Sequence, residues 1–142
     1  MTDNRAIMEK AYDDFAKGDV PAFLATFSDK IGWFSAEGSP YWQGEPAVGP
    51  QQVVERIFMR IPQDYDGFAI TINRLVGLGD PVVMEGRYTG AAKASGRPLD
   101  AQVAHVWDLK GGKALRFQQY INTAHVQQVL GAEVAPVAAN SR

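Results

Sequence analysis

The chain contains no cysteine. Disulfides, thiolate nucleophiles and Cys-ligated zinc are thereby excluded. Histidine is scarce, with two in 142 residues. The carboxylates show no metal-ligand spacing, so neither a metal nor another cofactor is expected. Basic residues form no cluster and the formal net charge is −2, which argues against a nucleic-acid partner. No apolar run approaches the length of a membrane span. The opening stretch MTDNRAIMEK lacks the basic-then-apolar order of a signal peptide. A membrane partner is therefore not expected, and the expected location is the cytoplasm. What remains is an ordinary globular composition, 46% hydrophobic and 21% charged. One domain is expected over 1–131, with a flexible tail over 132–142.

Apolar residues recur at spacings of three and four at Ile7, Met8, Ala11, Tyr12 and Phe15, which predicts a helix over Asp3–Lys17. Asp19 can cap a second helix with Pro21 in its first turn and a stripe of Val20, Phe23, Leu24 and Phe27. Ile31–Ser35 reads as a short strand with Trp33 and Ser35 on one face. A Gly- and Pro-rich loop follows, carrying Tyr41 and Trp42. Pro50 opens a third helix with an apolar face of Val53, Val54, Ile57, Phe58 and Ile61, and Pro62 is expected to end it. The period then changes to two, over Phe68–Val76 and Val82–Thr89. Thr123 can cap a last helix through Leu130, closed by Gly131. Helices first and strands last predict an α+β domain, with helices packed on one face of a curled antiparallel meander.

Leu99–Asn122 dominates the strand half. Two half-apolar runs flank Lys110-Gly111-Gly112-Lys113, the pattern of a β-hairpin. Two registers are open. A two-residue loop sets His105 opposite Gln118 and Trp107 opposite Arg116. A turn with a bulge shifts parity by one. Asp100, Gln102, Ala104 and Val106 then share a face with Arg116, Gln118, Tyr120 and Asn122. Val103, His105, Trp107, Leu115, Phe117 and Ile121 form the other. The second register is preferred, because it sorts a polar, ligand-like face from an apolar one suited to a homodimer interface.

The motifs GRYTG (Gly86–Gly90), SGRPLDAQVAHVW (Ser95–Trp107), GGK (Gly111–Lys113) and RFQQYINT (Arg116–Thr123) resemble those of the SnoaL-like polyketide cyclases, relatives of ketosteroid isomerase in the nuclear transport factor 2-like superfamily. The resemblance runs to Gly131. It implies a cone-shaped, curved antiparallel sheet covered by three N-terminal helices, a short C-terminal helix, a small-molecule cavity and a homodimer. The isomerase's general base corresponds to about Ser35, its oxyanion acid to Ala104, and its first-helix tyrosine falls near Ala11, beside Tyr12. That set is missing, so ketosteroid isomerase activity itself is not expected. Of the Asp-Arg-Asp set of limonene epoxide hydrolase-like enzymes, Arg87 matches the arginine. The carboxylate positions fall near Thr89 and at Asn122, and an amide can orient a water but not deprotonate it.

The candidates follow from these positions. Arg87 either forms a solvated pair with Glu85 or stabilises an oxyanion in the cavity. Asn122, Gln118 and Gln102 either orient substrate or pair across strands. His105 either shuttles protons or packs at the interface, and the preferred register puts it at the interface. His125 and Asp100 are expected to be surface and strand-end residues. Arg87, Asn122 and His105 are thus the catalytic candidates. Tyr12, Trp33, Ser35, Phe58, Gln102, Gln118 and Tyr120 are the substrate-binding ones, with Tyr41 and Trp42 as a possible lid. The expected function is to bind an apolar, carbonyl-bearing small molecule, with cofactor-free cyclase, isomerase or hydrolase chemistry if catalytic. The alternative is a non-catalytic dimeric binding or interaction module.

Overall fold

The computed structural model describes residues 3–77 and 79–131. The expected tail, 132–142, lies outside the described residues. The first helix, α1, spans Asn4–Ala16. Asp3 caps it by accepting the Arg5 and Ala6 amides, two of the donors that a helix start leaves unpaired. Its buried stripe includes Met8, Ala11 and Tyr12. The second helix, α2 (Val20–Leu24), is capped by Asp19 and carries Pro21 in its first turn, where a missing N–H is harmless.

The chain continues as β1 (Phe27–Phe34), a two-residue β2 (Ala47–Val48), and α3 (Gly49–Val53), which runs into a π-helical turn over Val54–Phe58. A short α4 (Ile61–Asp64) follows. Pro62 was expected to end the third helix. It stands instead in the first turn of α4, the one helical position that tolerates proline. Then come β3 (Tyr65–Val76), β4 (Val82–Ala92), β5 (Pro98–Lys110), β6 (Lys113–Ile121) and α5 (Thr123–Leu130). The cap of α5 is Asn122, one residue before the expected Thr123; its side-chain oxygen accepts the His125 amide at 3.2 Å.

The strands form one six-stranded sheet in the order β2-β1-β6-β5-β4-β3. Four strands make the expected antiparallel meander, but β1 joins β6 in parallel, with Trp33 opposite Phe117. The sheet is thus mixed. The helices that separate β1 from the meander return the chain to its far side, so β1 takes the edge that β6 leaves open. Register shifts along β3 and β6 mark bulges, which bend a sheet. At Gly86 a Cβ would lie 2.1 Å from the Thr71 carbonyl of the neighbouring strand, so only glycine fits that close approach.

The hairpin turn is a two-residue loop. Lys110 pairs with Lys113, and Gly111 (φ 60°) and Gly112 (φ 78°) both take the left-handed conformation. The pairing then slips at Leu115, so that Asp108 faces Arg116 and Trp107 faces Phe117. The two alternatives drawn from the sequence are thus combined: a tight glycine turn, and a bulge after it that shifts parity. Leu115 itself turns outward and is exposed. Trp107, Phe117, Met8, Ile31 and Met84 form the centre of the core between the helices and the sheet. Among the described residues no helix is long and apolar enough to cross a membrane.

Candidate functional site

The helices cover the apolar face of the hairpin. The sequence reading placed the polar face inward and the apolar face at a subunit interface; the structure reverses the two. The stripes of α1 and α2 need an apolar partner surface, and burying the ionic groups of the polar face would cost more than any clustering of them returns. His105 is therefore inside and 3% exposed.

Between α1, α2, the π-helical turn, α4 and the sheet lies a narrow cavity of about 60 Å³. Among the described residues no Asp, Glu, Lys or Arg lines it. Its polar groups are tyrosines, tryptophans, His105, Gln119 and Ser39, set among Phe15, Phe23, Phe58, Phe68 and aliphatic side chains. At its centre the imidazole of His105 lies between two phenols. The Tyr12 hydroxyl from α1 is 2.6 Å from Nδ1 and the Tyr88 hydroxyl from β4 is 2.5 Å from Nε2. Trp107 Nε1 donates to the Tyr12 oxygen at 2.8 Å, and Gln119 Nε2 donates to the Tyr88 oxygen at 3.0 Å. Gln119 is placed by register, directly opposite His105. Its amide orientation is fixed by the Ala36 N–H, which donates to its Oε1 at 3.1 Å.

Burial sets the protonation states. It pushes His105 down to about 3 and both Tyr12 and Tyr88 well up, so all three are neutral at ordinary pH. The protons can then be counted. A neutral imidazole has one N–H and one lone pair. Each phenol oxygen already accepts a fixed donor, Trp107 on one side and Gln119 on the other. Only one of the two phenolic protons can go to the imidazole. The other has no protein acceptor among the described residues, and both phenols line the cavity. One O–H is thus left for whatever the cavity holds. Trp33 Nε1, on the same wall, is a second buried donor without a partner among the described residues.

One part of the cavity wall is the loop carrying Ser39, Pro40 and Tyr41. The Tyr41 hydroxyl donates to Asp64 at 2.7 Å, and the Arg60 guanidinium lies 4.4 Å from the ring centroid while donating to the Pro40 carbonyl. Burial first, and then Asp64, push the Tyr41 hydroxyl up. Gln127 holds the same loop through the Gly38 carbonyl. Trp42 does not line the cavity and stacks on Phe34.

The predicted residues divide between two places. Tyr12, Trp33, Phe58 and His105 line the interior cavity. Ser35 is buried beside β1 but does not reach it. Arg87, Gln102, Tyr120 and Asn122 line an open depression on the outer face, with Glu85 and Ala104. There Arg87 pairs with Asp100 at 2.6 Å and Glu85 with Arg74 at 2.6 Å, in place of the expected Glu85–Arg87 pair. Asn122 spends its side-chain oxygen on the α5 cap. Gln118 lines neither place but a separate depression beside Ala36 and Glu37, and it donates to the Phe34 and Gln119 carbonyls. His125 Nε2 accepts the Asp100 amide. Sequence reasoning missed Tyr88 and Gln119. The alternation Val82, Met84, Gly86, Tyr88 was the available signal for the first; the second needed the bulge at Leu115 to be located.

A curved, unclosed mixed sheet with its concave face covered by helices is the nuclear transport factor 2-like fold. An NTF2-like protein from Burkholderia thailandensis shares 28% identity, with 92% of this chain and 98% of that chain covered and a TM-score of 0.86. An NTF2-like protein of unknown function from Burkholderia pseudomallei shares 25%, over 93% and 100%, with a TM-score of 0.82. TerC, co-crystallized with polyporic acid, shares the fold at 21% identity over 91% and 98%, with a TM-score of 0.80. No curated protein sequence matches the chain. Within that fold the SnoaL-like domain matches residues 8–117. The chain belongs to the SnoaL-like family.

Proposed function

We propose that this protein binds a neutral, apolar, carbonyl-bearing small molecule in the interior cavity and acts on it by cofactor-free acid/base chemistry of the cyclase, isomerase or hydrolase kind. The observation that carries this reading is the uncharged Tyr12–His105–Tyr88 chain, which leaves one phenolic proton free inside an apolar cavity. A carbonyl oxygen is the acceptor such a donor suits, and an ionic ligand would meet no opposite charge there. TerC, which shares the fold, was co-crystallized with a small molecule, polyporic acid, and this supports a small-molecule ligand. Arg87 and Asn122, on the outer face, have no step in this reading.

Trp33 and Trp107 line the cavity, so ligand entry should quench intrinsic fluorescence. Titration with neutral aromatic ketones and quinones should show quenching and a raised melting temperature. Tyr12→Phe and Tyr88→Phe should each weaken it. Failure of every neutral carbonyl compound to bind, or binding indifferent to both substitutions, would refute the proposal. The depressed basicity of His105 favours a second reading, binding without turnover, which would show as a ligand recovered unchanged. We also propose a cytoplasmic homodimer, formed through the outer face around the exposed Tyr120; light scattering that finds a monomer would remove it.

A further inference from the structure

We infer that Tyr12, His105 and Tyr88 form a charge-neutral proton relay that enolises a neutral ketone, taking a proton from carbon at one phenol and delivering one to the carbonyl oxygen at the other. This rests on the cavity being the ligand site, as proposed above. The relay itself follows from the hydrogen-bond count. Two arrangements satisfy the chain equally. In one, Nδ1–H donates to the Tyr12 oxygen, Tyr88 donates to Nε2, and the Tyr12 proton is free. In the other, Tyr12 donates to Nδ1, Nε2–H donates to the Tyr88 oxygen, and the Tyr88 proton is free. Trp107 and Gln119 hold the two phenol oxygens in place in both.

Passing between the arrangements moves one proton across the imidazole. From the first, the Tyr12 O–H proton goes to the ligand carbonyl oxygen, and the Nδ1 proton replaces it on Tyr12. The Tyr88 proton goes to Nε2, and a ligand C–H proton goes to the Tyr88 oxygen. The C–H bond electrons become the C=C bond of the enol, and the carbonyl π pair becomes the new O–H bond. Every protein group is neutral before and after, and only the imidazole tautomer has changed. The reverse passage, on the same ligand or the next, resets it. No carboxylate and no imidazolium is needed, which answers the absence of charged groups from the cavity wall. The substrate class is a neutral, enolisable ketone, and the reaction class is a prototropic shift.

The test uses 2-indanone in deuterated buffer, with binding followed by tryptophan fluorescence and exchange of its ring methylene protons followed by NMR. The wild type should bind and exchange, at a rate above background that is flat from about pH 6 to about pH 9, since no member of the chain titrates there. His105→Asn keeps a donor and an acceptor but cannot change tautomer. It should still bind the ketone, and the exchange rate at saturating ligand should fall about a hundredfold or more. Tyr88→Phe, which preserves ring volume, should lose exchange to the same extent and guards against a His105→Asn that fails to fold. A wild type that binds without exchanging, or either variant exchanging at the wild-type rate, would overturn the relay while leaving the binding site intact. Absence of binding by 2-indanone and by every other neutral ketone would take down the binding proposal and the relay together.

Discussion

On the inner face of β5, His105 lies between two tyrosine hydroxyls and is almost sealed from water. On the outer face of the same strands, Arg87 and Asp100 form an ion pair with side chains 42% and 63% exposed. Both places gather polar side chains around a shallow or narrow concavity. They differ in how those groups are satisfied. Inside, every partner is neutral and each hydrogen bond is fixed by another, so the removal of one leaves a buried group unpaired. Outside, water can replace any partner, so charge is inexpensive to hold and contributes little. The sequence shows arginine, aspartate and amides as the conspicuous candidates, yet the chemistry available to an enclosed ligand belongs to phenols and an imidazole.

The sharpest way to break this contrast is from the inside. Trp107→Ala removes a fully buried ring that also donates to Tyr12 and should cost about 3–5 kcal/mol in denaturant unfolding. A loss under about 1 kcal/mol would mean that the inner network is not held as described. Acid comes next. The His105 pKa is depressed in the folded state, from an ordinary 6.5 to about 3. The unfolded chain therefore takes up this proton first, and stability is lost as pH falls through that window, by an amount on the order of a few kcal/mol. His105→Asn should show a shallower decline than the wild type between those limits; identical slopes would show that His105 does not titrate on unfolding. Asn122→Ala should cost about 1 kcal/mol through the lost α5 cap, with ligand binding unchanged. The smallest effect belongs to Arg87→Ala. An exposed pair is worth about 0.5 kcal/mol, and interior ligand binding should be indifferent to it. Weakened binding in Arg87→Ala would put the functional face on the outside after all.

How far the sequence could be read follows the same line between local and non-local. The stripe of α1, the Asp19 cap of α2 and the glycine turn of the hairpin are set by residues a few positions apart, and they stand where the local pattern placed them; Asp3, read as the first residue of α1, is its cap. The bulge at Leu115, the parallel pairing of β1 with β6 and the choice of which hairpin face the helices cover are not encoded within any one segment. Each depends on competition between surfaces that meet only in the folded chain. Tyr12, Trp33 and His105 stood out because they combine apolar bulk with a polar handle, and Phe58 because it lies in the apolar stripe of its helix; all four line the cavity, whichever way the sequence reading faced the sheet. Tyr88 and Gln119 were missed because register alone brings them to His105.

The reach of the central hydrogen bonds has a kinetic side. Tyr12 meets His105 across 93 positions of chain and Trp107 across 95, and β1 meets β6 from opposite ends of the fold. Contacts of such separation form late and slowly, because the loop must close before they return any free energy. The walls of the cavity come from both ends of the chain, so the site is complete only where α1 and β1 are packed on the hairpin, and a chain lacking either contact lacks the site.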